Sequence, residues 1–350
     1  MIDFRYHLVS LIAVFLALAV GIVLGGTALR DPLLDTLGDK KARLRAETER
    51  LRAEKDAAER LASGGDRLAD AFADRMLGDR LSGVGVAVVE APGVPRKLRE
   101  GVVERIEQAG GTVPARLVVS DSYLDPDRSA FVGELTGQLA SGAGLARGSA
   151  HDRAGALLAR ALRDPGEKDP AEEAGGFDPG AVLAGFAHAG LLAVHGDPGG
   201  ADAAVVLAPG RPAAARSAPE RPGADGIMLD TVDGLHEVLG AAVLVGRPSA
   251  AAPGGLLQQA RADGAAYSTV DAAGGDAGDV AAALALAAAT EGRRGDYGVA
   301  EGADGFLPRP LPGTDDGGDA EDGDGDDAED GPARPPAVDK PVADPRPRPR

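Results

Sequence analysis

The first thirty residues of the chain are almost entirely apolar. No charged residue occurs from Leu8 to Leu29, a run of 22 residues. As a helix this run is about 33 Å long, which matches a bilayer hydrocarbon core of roughly 30 Å. It is longer than the apolar region of a cleaved signal peptide, the rival interpretation suggested by the small residues Gly26-Thr27-Ala28. We therefore expect residues 1–30 to form an uncleaved transmembrane signal anchor.

The pattern then changes to charge and leucine. Leu37, Leu44, Leu51 and Ala58 recur every seven residues, but the partner position is polar after Leu34, so only half of a coiled-coil seam is present. Acidic and basic side chains three and four residues apart add intrahelical ion pairs. Residues 31–80 are predicted to form a coiled coil that is interrupted at the Ser-Gly-Gly-Asp sequence of residues 63–66. This helix either pairs two chains as a parallel homodimer or serves as a solvated spacer.

From residue 81 the hydrophobic period becomes that of buried strands. The continuous apolar run at 84–91 is followed by an amphipathic helix that ends at Gly110-Gly111 and then by a second apolar run. Further strand patterns near 191–195, 203–209, 241–246 and 265–271 alternate with helical ones. This alternation predicts an α/β fold, a flavodoxin-like doubly wound sheet of about five parallel strands. It spans 81–308 and carries a helical insertion at about residues 125–190.

The last part of the chain differs in composition. Residues 314–350 hold 12 acidic and 5 basic side chains, with many prolines and glycines. We expect residues 309–350 to be a disordered, acidic and Pro-rich tail. The whole chain has a formal net charge of −18, and since nucleic-acid binding needs clustered basic side chains, no nucleic-acid partner is expected.

Few residues suggest chemistry. The chain has no cysteine, which excludes disulfides, thiolate metal sites and cysteine nucleophiles. It also lacks a Walker A sequence and a G-x-S-x-G motif, so no enzymatic activity and no cofactor are predicted. His188 and His195, with Asp197 nearby, are the candidate metal ligands, although such histidines are more often surface or packing residues. Cu(I) prefers cysteine and methionine, and with only three methionines no soft-metal site is visible.

Two stretches resemble a known family. The opening MIDFRYHLVSLIAVFLALAVGIVLGG, with the leucine- and arginine-rich helix and GVGVAVVEAPGV after it, resembles the actinobacterial MctB copper transporters. The stretch from Tyr267 to Pro308 does so as well, and the resemblance covers about residues 1–308. It implies a role in copper transport or copper homeostasis, and copper is implied by this resemblance alone. It also implies a single-pass protein in contact with membrane lipid, located in the cell membrane or cell envelope.

Membrane orientation and mechanism are each open to two interpretations. Taken alone, the basic residues that follow the apolar run favour a cytoplasmic domain, whereas the resemblance favours an exterior one. We expect the exterior orientation. The architecture alone, an anchor followed by a coiled coil and a domain without a catalytic motif, favours a scaffold or regulator of cell-envelope or cell-division enzymes. On that interpretation the partners are envelope proteins.

Overall fold

The computed structural model describes residues 3–28, 30–140, 147–163, 177–210 and 223–313. Within these residues the helices are α1 (Asp3–Ala28), α2 (Arg30–Leu77), α3 (Arg96–Gln108), α4 (Ser129–Leu139), α5 (Ala150–Leu162), α6 (Pro179–His188), α7 (Ala224–Leu239), α8 (Leu256–Ala262) and α9 (Asp276–Thr290). The strands are β1 (Val86–Glu90), β2 (Ala115–Val119), β3 (Leu192–Gly196), β4 (Ala203–Leu207), β5 (Ala242–Val245), β6 (Ser268–Val270) and β7 (Asp296–Tyr297). The predicted α/β class is confirmed.

The seven strands form one sheet in the order β3-β2-β1-β4-β5-β6-β7. All neighbouring strands are parallel except β2 and β3, which are antiparallel. When β3 is set aside, the parallel strands follow the flavodoxin-like order that the sequence predicted. The sheet nevertheless has seven strands instead of about five, because a two-residue strand closes one edge and an antiparallel strand closes the other.

The direction of β3 follows from where the helical insertion begins and ends. The insertion leaves the sheet just after β2 and returns to the same end of β2. There the Ser120 amide donates to the Leu191 carbonyl at 3.0 Å, and the Ser120 hydroxyl donates to the Gly190 carbonyl at 2.8 Å. A strand that starts beside the end of β2 can only run back along it. β3 is therefore antiparallel, which periodicity in the sequence does not specify.

Helices cover the sheet on both faces. One core cluster joins the sheet to helices α4 to α8, and a second joins it to α2, α3 and α9. In α9 every residue from Gly278 to Ala289 is buried, and most are alanine. Small side chains let this helix lie close to the sheet, which compensates for a core with few aromatic residues.

The long helix α2 belongs partly to the rod and partly to the α/β domain. It continues through residues 63–66, so the predicted interruption is wrong. Gly64 and Gly65 lie in a solvent-exposed turn, where a β-carbon would meet nothing within 4 Å. Glycine inside a helix lowers helix stability but is tolerated. Here packing also stabilises the part of the helix after residue 65, because Ala73 and Leu77 are fully buried in the second core cluster.

Three aspartates one helical turn apart fix this last part of α2 to the domain. Asp66 accepts a hydrogen bond from the Ala277 amide, at the start of α9, at 3.2 Å. Asp70 accepts from Arg105 of α3 at 2.7 Å, and Asp74 accepts from Gln108 at 2.5 Å. Residues spaced by four lie on one face of a helix, so all three face the domain.

Candidate functional site

Three aspartates come together where α5 crosses α7. One carboxylate oxygen of each of Asp152, Asp230 and Asp233 lies within 4.8 Å of the others. The helices approach closely because both carry glycine at the crossing. A β-carbon on Gly155 would lie 2.3 Å from the Thr231 carbonyl oxygen, and one on Gly234 would lie 2.0 Å from the Asp152 carbonyl oxygen.

Local hydrogen bonds hold two of these carboxylates. Asp152 accepts from the Ser149 amide at 2.7 Å in a capping box at the start of α5. The Ser149 hydroxyl donates to Asp230 at 2.7 Å, which ties α5 to α7. Desolvation by the surrounding helices raises the pKa of Asp233 to about 6 although its side chain reaches solvent, and the neighbouring Asp152 and Asp230 charges act in the same direction. Among the described residues, this is the one group of three or more such side chains whose ligand atoms lie close enough to share a metal ion.

This aspartate cluster was not predicted from the sequence. The S-x-x-D pattern at Ser149 could have located the start of α5. Nothing in the sequence, however, places Asp152 beside aspartates some eighty residues away. Carboxylate oxygens suit hard cations such as Ca²⁺ or Mg²⁺ and are poor ligands for Cu(I).

The two predicted metal ligands lie on different elements. His188 is the last residue of α6 and is exposed, whereas His195 lies on β3 opposite Arg116 and is also exposed. Leu192 and His195 are three residues apart along an extended strand, about 10 Å, so His195 lies well away from the turn after His188. No described group of three or more potential metal ligands includes either histidine. The metal site at this pair stays a prediction.

Two other histidines are held inside the domain. His151 is 2 % exposed, packs edge-on against Tyr123 with ring centroids 5.1 Å apart, and has no hydrogen-bond partner for Nε2 in the described residues. His236 packs against Tyr267 at 6.3 Å. Burial lowers the pKa of both imidazoles. Both therefore act as neutral packing residues at neutral pH.

Helix α1 has the length and composition of a membrane span. The segment Tyr6–Leu24 has a mean hydropathy of 2.7, and none of it is buried against the rest of the protein. Leu8, the predicted start of the span, is exposed with its neighbours. Leu29, its predicted end, lies outside the described residues. Signal sequences and core helices can have similar composition, although a core helix would be buried.

The predicted seam on α2 is exposed in the single chain. Leu44, Leu51 and Ala58 all face solvent, and Leu37 lies in the same helix. Leu61, Leu68 and Phe72 extend the exposed apolar stripe toward the domain, at 79 %, 62 % and 45 % exposure. The seam predicted from the sequence ends at Ala58, before the predicted interruption at residues 63–66.

Comparison with known proteins agrees with the resemblance. The family model for MctB, described as a copper transport outer membrane protein, matches residues 1–308. The copper transporter MctB of Mycobacterium leprae is 30 % identical over 321 residues, covering 87 % of this chain and 98 % of the relative.

The copper transporters MctB of Mycobacterium tuberculosis H37Rv and Mycobacterium bovis are each 34 % identical over 125 residues. That match covers 36 % of this chain and 40 % of each relative, so it spans less than half of their length. The family description and the apolar N-terminal helix together indicate membrane or envelope association. Because the family model matches residues 1–308 and the Mycobacterium leprae relative is matched over 98 % of its length, this chain belongs to the MctB family.

Proposed function

We propose that this protein is a single-pass, non-enzymatic envelope protein that takes part in copper transport or copper homeostasis, with its α/β domain outside the cytoplasm. The observation that carries the proposal is the family match over residues 1–308, together with relatives named copper transporters. In this proposal copper is cargo. A reporter enzyme fused after Pro308 that is active only in the cytoplasm would contradict the orientation.

The donor atoms of the chain favour an indirect role in handling copper. It has no cysteine and three methionines. Its aspartate cluster offers hard oxygens, and its exposed histidines lie on separate elements. Since a tight Cu(I) site needs two or three converging soft or imidazole ligands, we infer that the chain acts on copper through other envelope proteins.

A competition experiment tests this inference. The full chain in detergent is titrated against a Cu(I) chelator, and we expect no binding tighter than about micromolar, roughly −8 kcal/mol. The double variant His188→Ala/His195→Ala should behave like the wild type. Tight stoichiometric binding that is lost in this variant would establish the histidine pair as a copper site.

A second candidate function, a scaffold or regulator of cell-envelope or cell-division enzymes, is favoured by the exposed stripe on α2. An apolar stripe on a charged helix is stable in water when it pairs with another helix. We propose that two chains pair in parallel along Leu44 and Leu51. Leu44→Asp/Leu51→Asp should then abolish crosslinking between chains, whereas Ala46→Asp/Ala53→Asp, on the opposite side of the same turns, should preserve it. Unchanged crosslinking in both variants would make α2 a monomeric spacer.

Deleting the gene separates the two functions. Copper content and copper tolerance should change if the first proposal holds, and expression of the wild-type chain should restore both. A defect in cell separation with normal copper content would favour the scaffold.

A further inference from the structure

A groove of about 370 Å³ lies between α3 and the antiparallel edge of the sheet. Its floor is apolar, made by Val103 and Val113, and its outer wall is formed by Arg116 of β2 and His195 of β3. In doubly wound folds helices cover both faces of the sheet. Here α3 stops short of the edge, and within the described residues no other helix covers this face of β2 and β3. Ala193 and His195 of the edge strand are consequently exposed.

The basic side chains of the groove are paired with a buried carboxylate. Glu90, at the end of β1, is only 6 % exposed. It accepts a hydrogen bond from Arg116 at 2.8 Å, and Arg99 lies 3.6 Å from its other oxygen. A carboxylate buried between two guanidinium groups holds both of them in place. Arg99 and Arg116 therefore form part of the wall. Together with Arg96 they face two carboxylates, Glu90 and Glu100, so one positive charge remains.

Two further carboxylates of the groove outweigh this remaining positive charge. Glu100 pairs with Arg96 of the same helix at 2.6 Å and lies 3.6 Å from Arg99. Glu104 and Glu107, one turn farther along α3, line the groove and have no ion-pair or hydrogen-bond partner in the part of the chain that the structure describes. Both are exposed on the rim above the valine floor. The groove thus combines an apolar floor with two free carboxylates.

We propose that this groove binds a basic segment of a partner protein, with an aliphatic side chain on Val103 and Val113 and flanking lysine or arginine side chains on Glu104 and Glu107. Charge complementarity selects this occupant, because an acidic or purely apolar segment would leave the two carboxylates desolvated and unpaired. The formal net charge of −18 attracts a basic partner over longer distances as well. The inference is independent of copper and goes beyond the proposed function.

A binding experiment with matched charge variants tests the proposal. The probe is a fluorescein-labelled peptide of alternating lysine and valine, and its counterpart alternates glutamate and valine. Anisotropy is measured with the full chain in detergent micelles at low and high salt. Glu104→Gln/Glu107→Gln removes the two free carboxylates, and Glu47→Gln/Glu49→Gln removes the same charge from the exposed part of α2. Circular dichroism establishes that all variants are folded.

We expect the basic peptide to bind and the acidic peptide not to bind. The groove variant should weaken binding about five-fold, as the loss of two exposed ion pairs implies, and the α2 variant should change it less than two-fold by the same estimate. Equal weakening in both variants would mean that the peptide responds to overall charge, and the proposal would be wrong. Unchanged binding in the groove variant, or no binding to the wild type, would overturn it too.

Discussion

The two parts of α2 both carry many charged residues but are helical for different reasons. From Lys40 to Gly65 every side chain is exposed, and the visible support is local, in pairs such as Arg50 with Glu54 at 2.8 Å and Lys55 with Glu59. Such pairs contribute a few tenths of a kcal/mol each. From Asp66 to Leu77 the helix instead packs into the second core cluster and is bonded to α3 and α9.

This difference explains why an interruption of α2 at residues 63–66 was wrongly predicted from the sequence. Charge pairs and heptads are local signals, and they end at residues 63–66. The packing that carries the helix onward comes from α3 and α9, which follow later in the chain. The exposed part needs a partner to gain comparable stability, whereas the docked part already has one.

The largest expected effect comes from removing packing in the docked part. Leu77 is fully buried, so Leu77→Ala should lower the free energy of unfolding by about 3 kcal/mol. Leu61 is 79 % exposed, and Leu61→Ala should change the free energy of unfolding by less than about 0.5 kcal/mol. Urea unfolding followed by tyrosine fluorescence measures both, since Tyr123, Tyr267 and Tyr297 lie in the α/β domain. Equal losses would mean that the exposed part is packed as well, and the contrast would fail.

Much of the fold could be predicted because its signals are local. The apolar runs that predicted β1, β4, β5 and β6 are fully buried strands in the structure, and the run that predicted β2 is a strand buried on one face. A strand buried on both faces needs continuous apolar residues, and a parallel order needs crossover helices. Strand direction at the β3 edge and the two-residue β7 depend on where distant segments return to the sheet, so they could not be predicted.

The candidate sites were less predictable than the fold. Asp152 and Asp233 meet because Gly155 and Gly234 allow two helices to approach, which is a long-range packing event. The groove exists because α3 leaves the sheet edge uncovered. The position of a helix relative to a sheet edge cannot be predicted from a hydrophobic pattern. The two histidines predicted as metal ligands, His188 and His195, lie on separate elements, whereas His151 and His236 pack against tyrosines.

A smaller effect concerns the pH dependence of α9, the helix against which the docked part of α2 packs. Asp279 of α9 is buried, with its carboxylate against Gly101 of α3, and accepts from the Gly274 amide at 2.8 Å. Burial is the main cause that raises its pKa from 3.8 to about 6. The Asp276 and Asp66 charges act in the same direction, whereas the Gly274 amide and Arg105 oppose it. The folded state binds the Asp279 proton more tightly than the unfolded state does. The contribution of this proton to the free energy of unfolding is therefore complete below pH 3.8 and is lost as the pH rises through about 6.

Asp279→Asn should therefore raise the free energy of unfolding at neutral pH by about 1 to 2 kcal/mol and leave it nearly unchanged at acidic pH. Urea titrations across this range measure the difference. Asp56→Asn, on the exposed part of α2, is the control and should leave the pH profile as it is. A profile that Asp279→Asn does not alter would show that this carboxyl has no part in the pH dependence of α9.

The smallest expected effect lies at the junction between the two parts. A β-carbon at Gly64 or Gly65 would meet nothing within 4 Å, so alanine fits either position without strain. Since glycine in a helix interior costs about 1 kcal/mol relative to alanine, Gly64→Ala should raise stability by about 0.5 to 1 kcal/mol if the helix is continuous there. Gly155→Ala, where the new carbon would lie 2.3 Å from the Thr231 carbonyl oxygen, should instead lower it. Helix content by circular dichroism and urea unfolding measure both changes. If Gly64→Ala is neutral or destabilising, the glycines are needed for a break between the parts, and the exposed part of α2 moves independently of the docked one.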